Sequence, residues 1–360
     1  MIGDKIANWF NQALMPRLDW VQVEVTSFCN AFCVYCPRTV YREKWRNRHL
    51  PTSTFDKLMS SLPETGILFL QGWGEPLLNP HFIEMVRVAK AWGLQVGATT
   101  NGTLIDDEMA DILVDSGIDV LAFSLAGATP EQNDRFRVGA DLEKVLEAMA
   151  LVKKARDKKG GQSPRINLAY LLLRSGSDDI RALPGLISGL DVSQVVVSTL
   201  DFVPSEKIQQ EALIPPGEEE FHSLAARLQK VAGQLSMINT ELHYQLYWPG
   251  PSRLTCMEKP RQSLFVSSDG SVSPCVFTNL PISGGHFFNA SSEGKRALPE
   301  WKKVPMTKLN FGNINNQPLH GIWRGKDYIP FRNSFFEKET TSPCQSCAKL
   351  YLRQSNEVSY

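Results

Sequence analysis

Through the first two hundred residues, short apolar runs alternate with longer stretches whose apolar residues recur every three or four positions. The runs stand at 21–26 (VQVEVT), 67–71 (ILFLQ), 94–100 (LQVGATT), 118–125 (IDVLAFSL), 166–173 (INLAYLLL) and 194–200 (QVVVSTL). The stretches between them lie at 54–62, 80–92, 106–116, 141–158 and 178–189. Their spacing places the apolar residues on one face of a helix. Ser53 or Thr54, Asn79 with Pro80, and Asp106 are candidate starts, and Gly117 is a candidate stop. A strand that is apolar throughout must be covered on both faces. Repeated βα units of this kind therefore predict a parallel α/β sheet flanked by helices, either an open doubly wound sheet or a partial barrel. In both, the chemistry sits beyond the C-terminal ends of the strands.

The remainder reads differently. Residues 1–19 read as an amphipathic helix, centred on 4–14, whose acidic and polar positions interrupt any signal-peptide core. Residues 202–250 read as a linker with one helix at 216–235. From 251 to 350 short strand-like pieces and turns dominate, with Ser268-Asp269-Gly270 as a hairpin turn, and 351–360 is a polar tail. This predicts a small irregular α+β, cysteine-rich C-terminal domain after a main domain at 20–201. A hydrophobic content of 42% supports a large core. Lys plus Arg number 38, as do Asp plus Glu, whereas a protein gripping many phosphates carries a basic excess. Nucleic-acid binding is therefore not expected as a main task. No apolar run approaches the roughly 20 residues of a membrane helix, so no membrane partner and a cytoplasmic location are expected.

Seven cysteines carry the chemistry: Cys29, Cys33, Cys36, Cys256, Cys275, Cys344 and Cys347. In a cytoplasmic chain, clustered cysteines point to metal sites before disulfides, and an odd number cannot all pair. The first three lie in one loop, 27–38, directly after the first strand. Three thiolates can hold three irons of a [4Fe–4S] cluster and leave the fourth iron open, or they can bind zinc. The other four combine a Cys-x2-Cys pair with two distant cysteines, which from spacing alone suits structural zinc and a [4Fe–4S] cluster equally.

Other residues extend the first pattern. Tyr35 precedes Cys36, Gly72-Trp73-Gly74-Glu75-Pro76 ends the second strand, and Thr100-Asn101-Gly102 ends the third. Ser124 lies near the end of the fourth, and Arg137 follows in NDRFRVG, with Arg135 as its rival. Together these resemble the radical SAM superfamily over about residues 20–200. The resemblance implies a partial (β/α)6 TIM-type barrel, a [4Fe–4S] cluster on Cys29, Cys33 and Cys36, and S-adenosyl-L-methionine at its open iron. It implies that Tyr35 packs on the adenine, and that Gly72, Trp73, Gly74 and Glu75 hold the methionine amino group. Trp73 departs from the family's Gly-Gly-Glu-Pro segment. Thr100, Asn101 and Ser124 would approach the ribose or methionine moiety, and Arg137 would pair with the carboxylate. The implied chemistry is donation of one electron from a cluster at about −400 mV or lower, homolysis of the sulfonium, and hydrogen abstraction from a C–H bond by a 5′-deoxyadenosyl radical.

Residues 251–350 resemble the SPASM or twitch extension of those enzymes, on Cys256, the Asp269-Gly270 turn before Cys275, Phe311-Gly312-Asn313-Ile314, Trp323 and the closing Cys344-x2-Cys347. Four cysteines imply a single auxiliary [4Fe–4S] cluster with no open iron, and hence electron transfer. A substrate radical beside it would be oxidised by one electron and lose a proton, with Asp201 as a candidate base. The alternatives are a redox-neutral change such as epimerisation, a non-catalytic iron–sulfur scaffold or electron carrier, and a zinc-stabilised binding protein. Epimerisation needs a hydrogen donor, and no cysteine remains for it. The implied substrates are a peptide or protein, a cofactor precursor or a small molecule. About twenty residues precede the first strand, too few for a leader-binding module. The run Arg38, Arg42, Lys44, Arg46, Arg48 and His49, opposed by Glu43, is either a solvated loop or a patch for an anionic substrate or an acidic reductant such as flavodoxin or ferredoxin. The six histidines form no HxxxH pair and are assigned to no metal.

Overall fold

The computed structural model describes residues 17–248, 256–283, 286–291, 300–305, 308–337 and 340–354. The helix expected at 4–14 lies outside them, as does most of the tail. All six expected strands form: β1 (Leu18–Val23), β2 (Thr65–Leu70), β3 (Gln95–Thr100), β4 (Val120–Leu125), β5 (Arg165–Leu171) and β6 (Val192–Ser198). They lie side by side in chain order, each parallel to the next. Helices Phe82–Ala91, Asp107–Asp115 and Leu142–Lys158 fill the expected crossovers. Asp106 caps its helix by accepting from the Met109 N–H at 2.8 Å, and Gly117 ends it at φ +78°.

Three expectations shift. The helix expected at 54–62 spans Thr52–Ser61, starting after Pro51 and before the expected cap. Asn79 caps no α-helix. Its amide donates to Val25 O at 2.7 Å, and its Oδ1 accepts from His81 N at 2.9 Å. At 178–189 a 3₁₀ turn (Asp179–Ala182) and a single helical turn (Leu183–Leu186) replace a full helix. Pro184 and Gly185 fall inside that stretch, and neither sustains a helix interior.

The sheet is larger than the sequence suggested. After helix Glu218–Ser236, β7 (Glu241–Tyr247) adds parallel to β6. Residues 202–250 thus contribute a seventh strand as well as the expected helix. The run ELHYQLY alternates polar and apolar positions, so it lacks the continuous apolar run of the other strands. On the opposite side, β8 (Ser263–Val266) adds parallel to β1 and is buried along its whole length. Next come β9 (Ser271–Ser273), antiparallel to β8, and β12 (Gly312–Asn313), antiparallel to β9. At the far edge β13 (Leu352–Gln354) pairs antiparallel with β7. The sheet order is β12-β9-β8-β1-β2-β3-β4-β5-β6-β7-β13, with eight adjacent parallel strands. A separate hairpin joins β10 (His286–Ser291) to β11 (Glu300–Pro305). The core runs along the sheet through Val21, Leu68, Phe123, Leu168 and Val195, all buried. Each such side chain contributes about 1.5–3 kcal/mol on burial. Among the described residues no helix is long and apolar enough to cross a membrane.

One carboxylate ties the sheet to its active end. Glu24, just past β1, is fully buried and accepts from Trp73 N (3.0 Å), Ser268 N (3.1 Å) and Ser268 Oγ (2.7 Å). Burial pushes its pKa above 4.5, and these donors oppose the rise. It therefore joins β1, the loop after β2 and the β8–β9 turn. Glu24→Gln would turn an NH2 group toward a buried N–H. We expect a loss of about 1–3 kcal/mol, measured by urea unfolding; an unchanged midpoint would mean that the orphaned donor is satisfied elsewhere.

Candidate active site

The first cysteine loop is built by long-range polar contacts. Cys36 closes a turn on Cys33 (N to O, 3.0 Å) and precedes a short helix, Pro37–Val40. Arg38 is buried, and its Nη2 donates to Cys29 O and Ala31 O, each at 2.6 Å. Arg38 therefore holds the loop from inside and is not part of an exposed basic run, whereas Arg42, Lys44, Arg46 and Arg48 are exposed. Asn30 donates to Thr103 Oγ1 at 2.7 Å and accepts from Asn101 Nδ2 at 2.9 Å. That Asn101 amide also lies 3.9 Å from Cys29 Sγ. The cysteine loop and the loop after β3 are thereby stapled together.

Gly72 and Gly74 let the loop after β2 pass beneath. A Cβ on Gly74 would stand 2.3 Å from Thr26 O and 2.4 Å from Phe28 O; one on Gly72 would stand 2.3 Å from the Glu24 side chain. Glu75 N donates to Phe28 O at 2.7 Å. The buried Glu75 carboxylate accepts from Thr100 Oγ1 (2.8 Å), Asn101 N (2.7 Å) and Leu77 N (3.3 Å). Burial raises its pKa, and these bonds counter the rise. A carboxylate has about four lone-pair sites, so one acceptor position remains for a ligand. Trp73 belongs to an aromatic cluster at the same cavity. Its ring packs against Trp45, Phe202 and Phe277, with centroids 6.5, 6.0 and 5.9 Å away, and its buried Nε1 has no protein partner.

Arg137 follows helix Pro130–Phe136. It is buried, Nη1 donates to the Tyr35 hydroxyl at 2.9 Å, and Nε has no protein partner. Burial pushes the Tyr35 phenol above its ordinary pKa, so it stays neutral. Arg135 is exposed and stacks over Phe136. Cys29, Cys33, Tyr35, Cys36, Gly72, Trp73, Gly74, Glu75, Thr100, Asn101, Ser124, Arg137 and Asp201 all line one cavity of about 430 Å³, a volume suited to a small-molecule cosubstrate.

Cys256, Cys275, Cys344 and Cys347 line a second cavity of about 40 Å³. Among the described residues no three His, Cys, Asp or Glu side chains group tightly enough for a single ion; the four thiols surround a shared space. In both groups backbone N–H groups point at sulfur: Ala31 at Cys29, Arg38 at Cys36, Glu258 at Cys256, Thr278 at Cys275 and Lys349 at Cys347. Such donors favour thiolate and sulfide over neutral thiol, so the donor set fits iron–sulfur clusters. Burial pushes the free thiols up, to about 12 for Cys36 and Cys275 and about 11 for Cys347. Loading must therefore release protons.

Sequence reasoning missed Glu24, Glu258, Phe202, Phe277 and Lys349. Asp201, a candidate base from the sequence, is ion-paired to Lys349 at 2.6 Å. The signal available was a matched offset: Glu258 stands two residues after Cys256, and Lys349 two after Cys347.

Gly74→Ala should force the Cys29 loop away from Glu75. Overpacking of this kind costs about 1–3 kcal/mol. We expect a lower urea midpoint and less iron bound by the first cysteine group; parent-like values for both would show that the loop relaxes freely.

Comparison with known proteins agrees with this geometry. Residues 23–161 match the family model of the radical SAM superfamily, and residues 256–348 match that of an iron–sulfur cluster-binding domain, SPASM. The chain is 26% identical over 348 residues to the tungsten-containing aldehyde ferredoxin oxidoreductase cofactor-modifying protein of Pyrococcus furiosus, covering 94% of this chain and 88% of that one. It is 24% identical over 331 residues to the PqqA peptide cyclase of Gluconobacter oxydans, covering 91% and 81%. Streptococcus suis SuiB bound to S-adenosylmethionine shares the fold with a TM-score of 0.63 at 12% identity, covering 96% of this chain and 75% of that chain. With two domain matches laid over two cysteine-lined cavities, the chain belongs to the radical SAM superfamily and carries a SPASM domain, an enzyme that works with iron–sulfur clusters and S-adenosylmethionine.

Proposed function

We propose that the protein uses S-adenosylmethionine to abstract hydrogen from a C–H bond of a peptide, protein, cofactor precursor or small molecule, and that net oxidation follows through one auxiliary [4Fe–4S] cluster. When bound, the cluster on Cys29, Cys33 and Cys36 supplies the electron, and S-adenosylmethionine the carbon radical, for that abstraction. The residues of the chain position and shield. Glu75 offers its remaining lone pair to the cosubstrate ammonium, and Arg137 meets its carboxylate through the unpartnered Nε. Tyr35, kept neutral, presents a flat face for the adenine, while Thr100, Asn101 and Ser124 border the ribose. Trp73, Phe202 and Phe277 keep water from the reacting centre.

The observation that carries the oxidative reading is a shared wall. Asp201, Phe202, Glu258, Phe277 and Lys349 line both the large cavity and the four-cysteine cavity. A substrate radical held there would lie next to the auxiliary site. The two relatives named above act on a cofactor and a peptide, as their names say, which supports those substrate classes first. The test is anaerobic reconstitution. About eight irons are expected in the parent and about four after Cys29/Cys33/Cys36→Ala, with 5′-deoxyadenosine formed under dithionite by the parent alone. Zinc without iron in the variant would overturn the auxiliary-cluster reading. Iron without nucleoside in the parent would favour a scaffold.

The first cluster needs an electron from outside. Phe28, Phe32 and Val138 are 36%, 49% and 47% exposed around the Cys29 loop. Phe28 stacks on His49, and Ser27 is bonded to the Arg46 and Arg48 backbone. An apolar patch beside exposed Arg42, Lys44, Arg46 and Arg48 suits an acidic carrier, flavodoxin or ferredoxin. Reversing those four charges to Glu should raise the flavodoxin concentration needed for half-maximal turnover roughly tenfold. Dithionite-driven turnover should not change. Equal sensitivity of both would remove this surface from the reading.

A further inference from the structure

The wall between the two cavities is held by one lysine. Lys349 Nζ pairs with Asp201 Oδ2 at 2.6 Å and with Glu258 Oε1 at 3.1 Å, and it lies 5.3 Å from the centroid of the Phe277 ring. The side chains of Lys349 and Asp201 are 10% and 6% exposed, and that of Glu258 is 20% exposed. The three come from separate places: Asp201 from beyond β6, Glu258 from the turn after Cys256, and Lys349 from the turn after Cys347. Glu258 and Lys349 are also the residues whose amides bond the sulfurs of those two cysteines. The ion pair between them therefore ties two ligand turns together, and the pair with Asp201 ties both to the rim of the large cavity. A charge at this position acts on whatever the cysteines hold, because burial weakens screening.

We propose that Lys349 is a positioning residue for the auxiliary centre: it fixes the Cys256 and Cys347 turns against each other and against the substrate cavity, and its fixed charge raises the reduction potential of the cluster bound there. The inference rests on the auxiliary-cluster reading above. Accepting one electron adds a negative charge to the cluster, and a neighbouring cation favours that state. Removing Lys349 alone would leave two carboxylates without their cation beside the cluster and shift the potential to more negative values.

The test uses the full chain carrying Cys29/Cys33/Cys36→Ala, so that every iron–sulfur signal comes from the second cysteine group. Iron and sulfide per chain and the midpoint in an EPR-monitored redox titration are compared for this background, Lys349→Arg, Lys349→Met and Asp201→Asn/Glu258→Gln/Lys349→Met. Lys349→Arg should keep the iron content and midpoint of the background. Lys349→Met should bind less iron and move the midpoint of the remainder to more negative potentials. If Lys349→Met fails to fold, the triple variant decides, since it leaves no charge unpaired. It removes one net negative charge, so its midpoint should rise above that of the background, while its iron content should fall because the turns are no longer tied. Background-level iron with an unchanged midpoint in Lys349→Met, or in the triple variant, overturns the inference while leaving the auxiliary cluster standing. A background that holds zinc and no iron overturns both.

Discussion

An open parallel sheet has two edges, and the backbone groups along them must be paired or covered. That constraint organises this protein. β1 would leave one edge bare and β7 the other. The C-terminal region supplies a strand to each: β8 with its hairpin against β1, and β13 against β7. Cys256 and Cys275 flank the first addition, and Cys344 and Cys347 precede the second. These four cysteines line one cavity, so the edges of the curled sheet approach each other there. The second metal site is placed by the same backbone pairing that completes the sheet.

Buried carboxylates then hold the loops at the active end. Glu24 and Glu75 each accept three protein hydrogen bonds, so neither is an unpaired buried charge. Glu75 fixes the loop after β3, and Glu24 fixes the loop after β2 against a turn more than two hundred residues away. Between them pass two glycines that any side chain would push apart. The hydrogen-bonded Glu24 and Glu75 hold in place the loops that line the cavity, which suits a charged cosubstrate.

Much of this was legible in the sequence. Apolar runs marked six strands, because each buries one face in the core and covers much of the other, though Val196 of β6 stands 41% exposed. Cysteine spacing and the glycines of the loop after β2 marked the cavity, because close backbone approach and metal ligation restrict residue type strongly. The alternating run of β7 was missed because it meets helix Glu218–Ser236 on one face and presents polar residues on the other. Polar partners were the least legible. Arg38 reads as one of a basic run until its guanidinium is found beneath Cys29, and Asp201 reads as free until Lys349 is brought to it from 148 positions on. Contacts of that span depend on the folded topology and leave no local pattern.

The sealing of both edges also sets an order for synthesis. The six βα units emerge from the ribosome first, yet β1 keeps a bare edge until residues 263–266 arrive, and β7 keeps one until residues 352–354 arrive. For that interval the nascent chain presents two strand edges flanked by apolar faces, the kind of surface that pairs with other chains. Closing them requires contacts between residues some 240 positions apart at β1 and some 105 apart at β7, which is slow. Expression yield in this protein should thus be governed by how long the chain waits for its own C-terminal strands, and slower, cooler synthesis with chaperones at hand is the regime its topology favours.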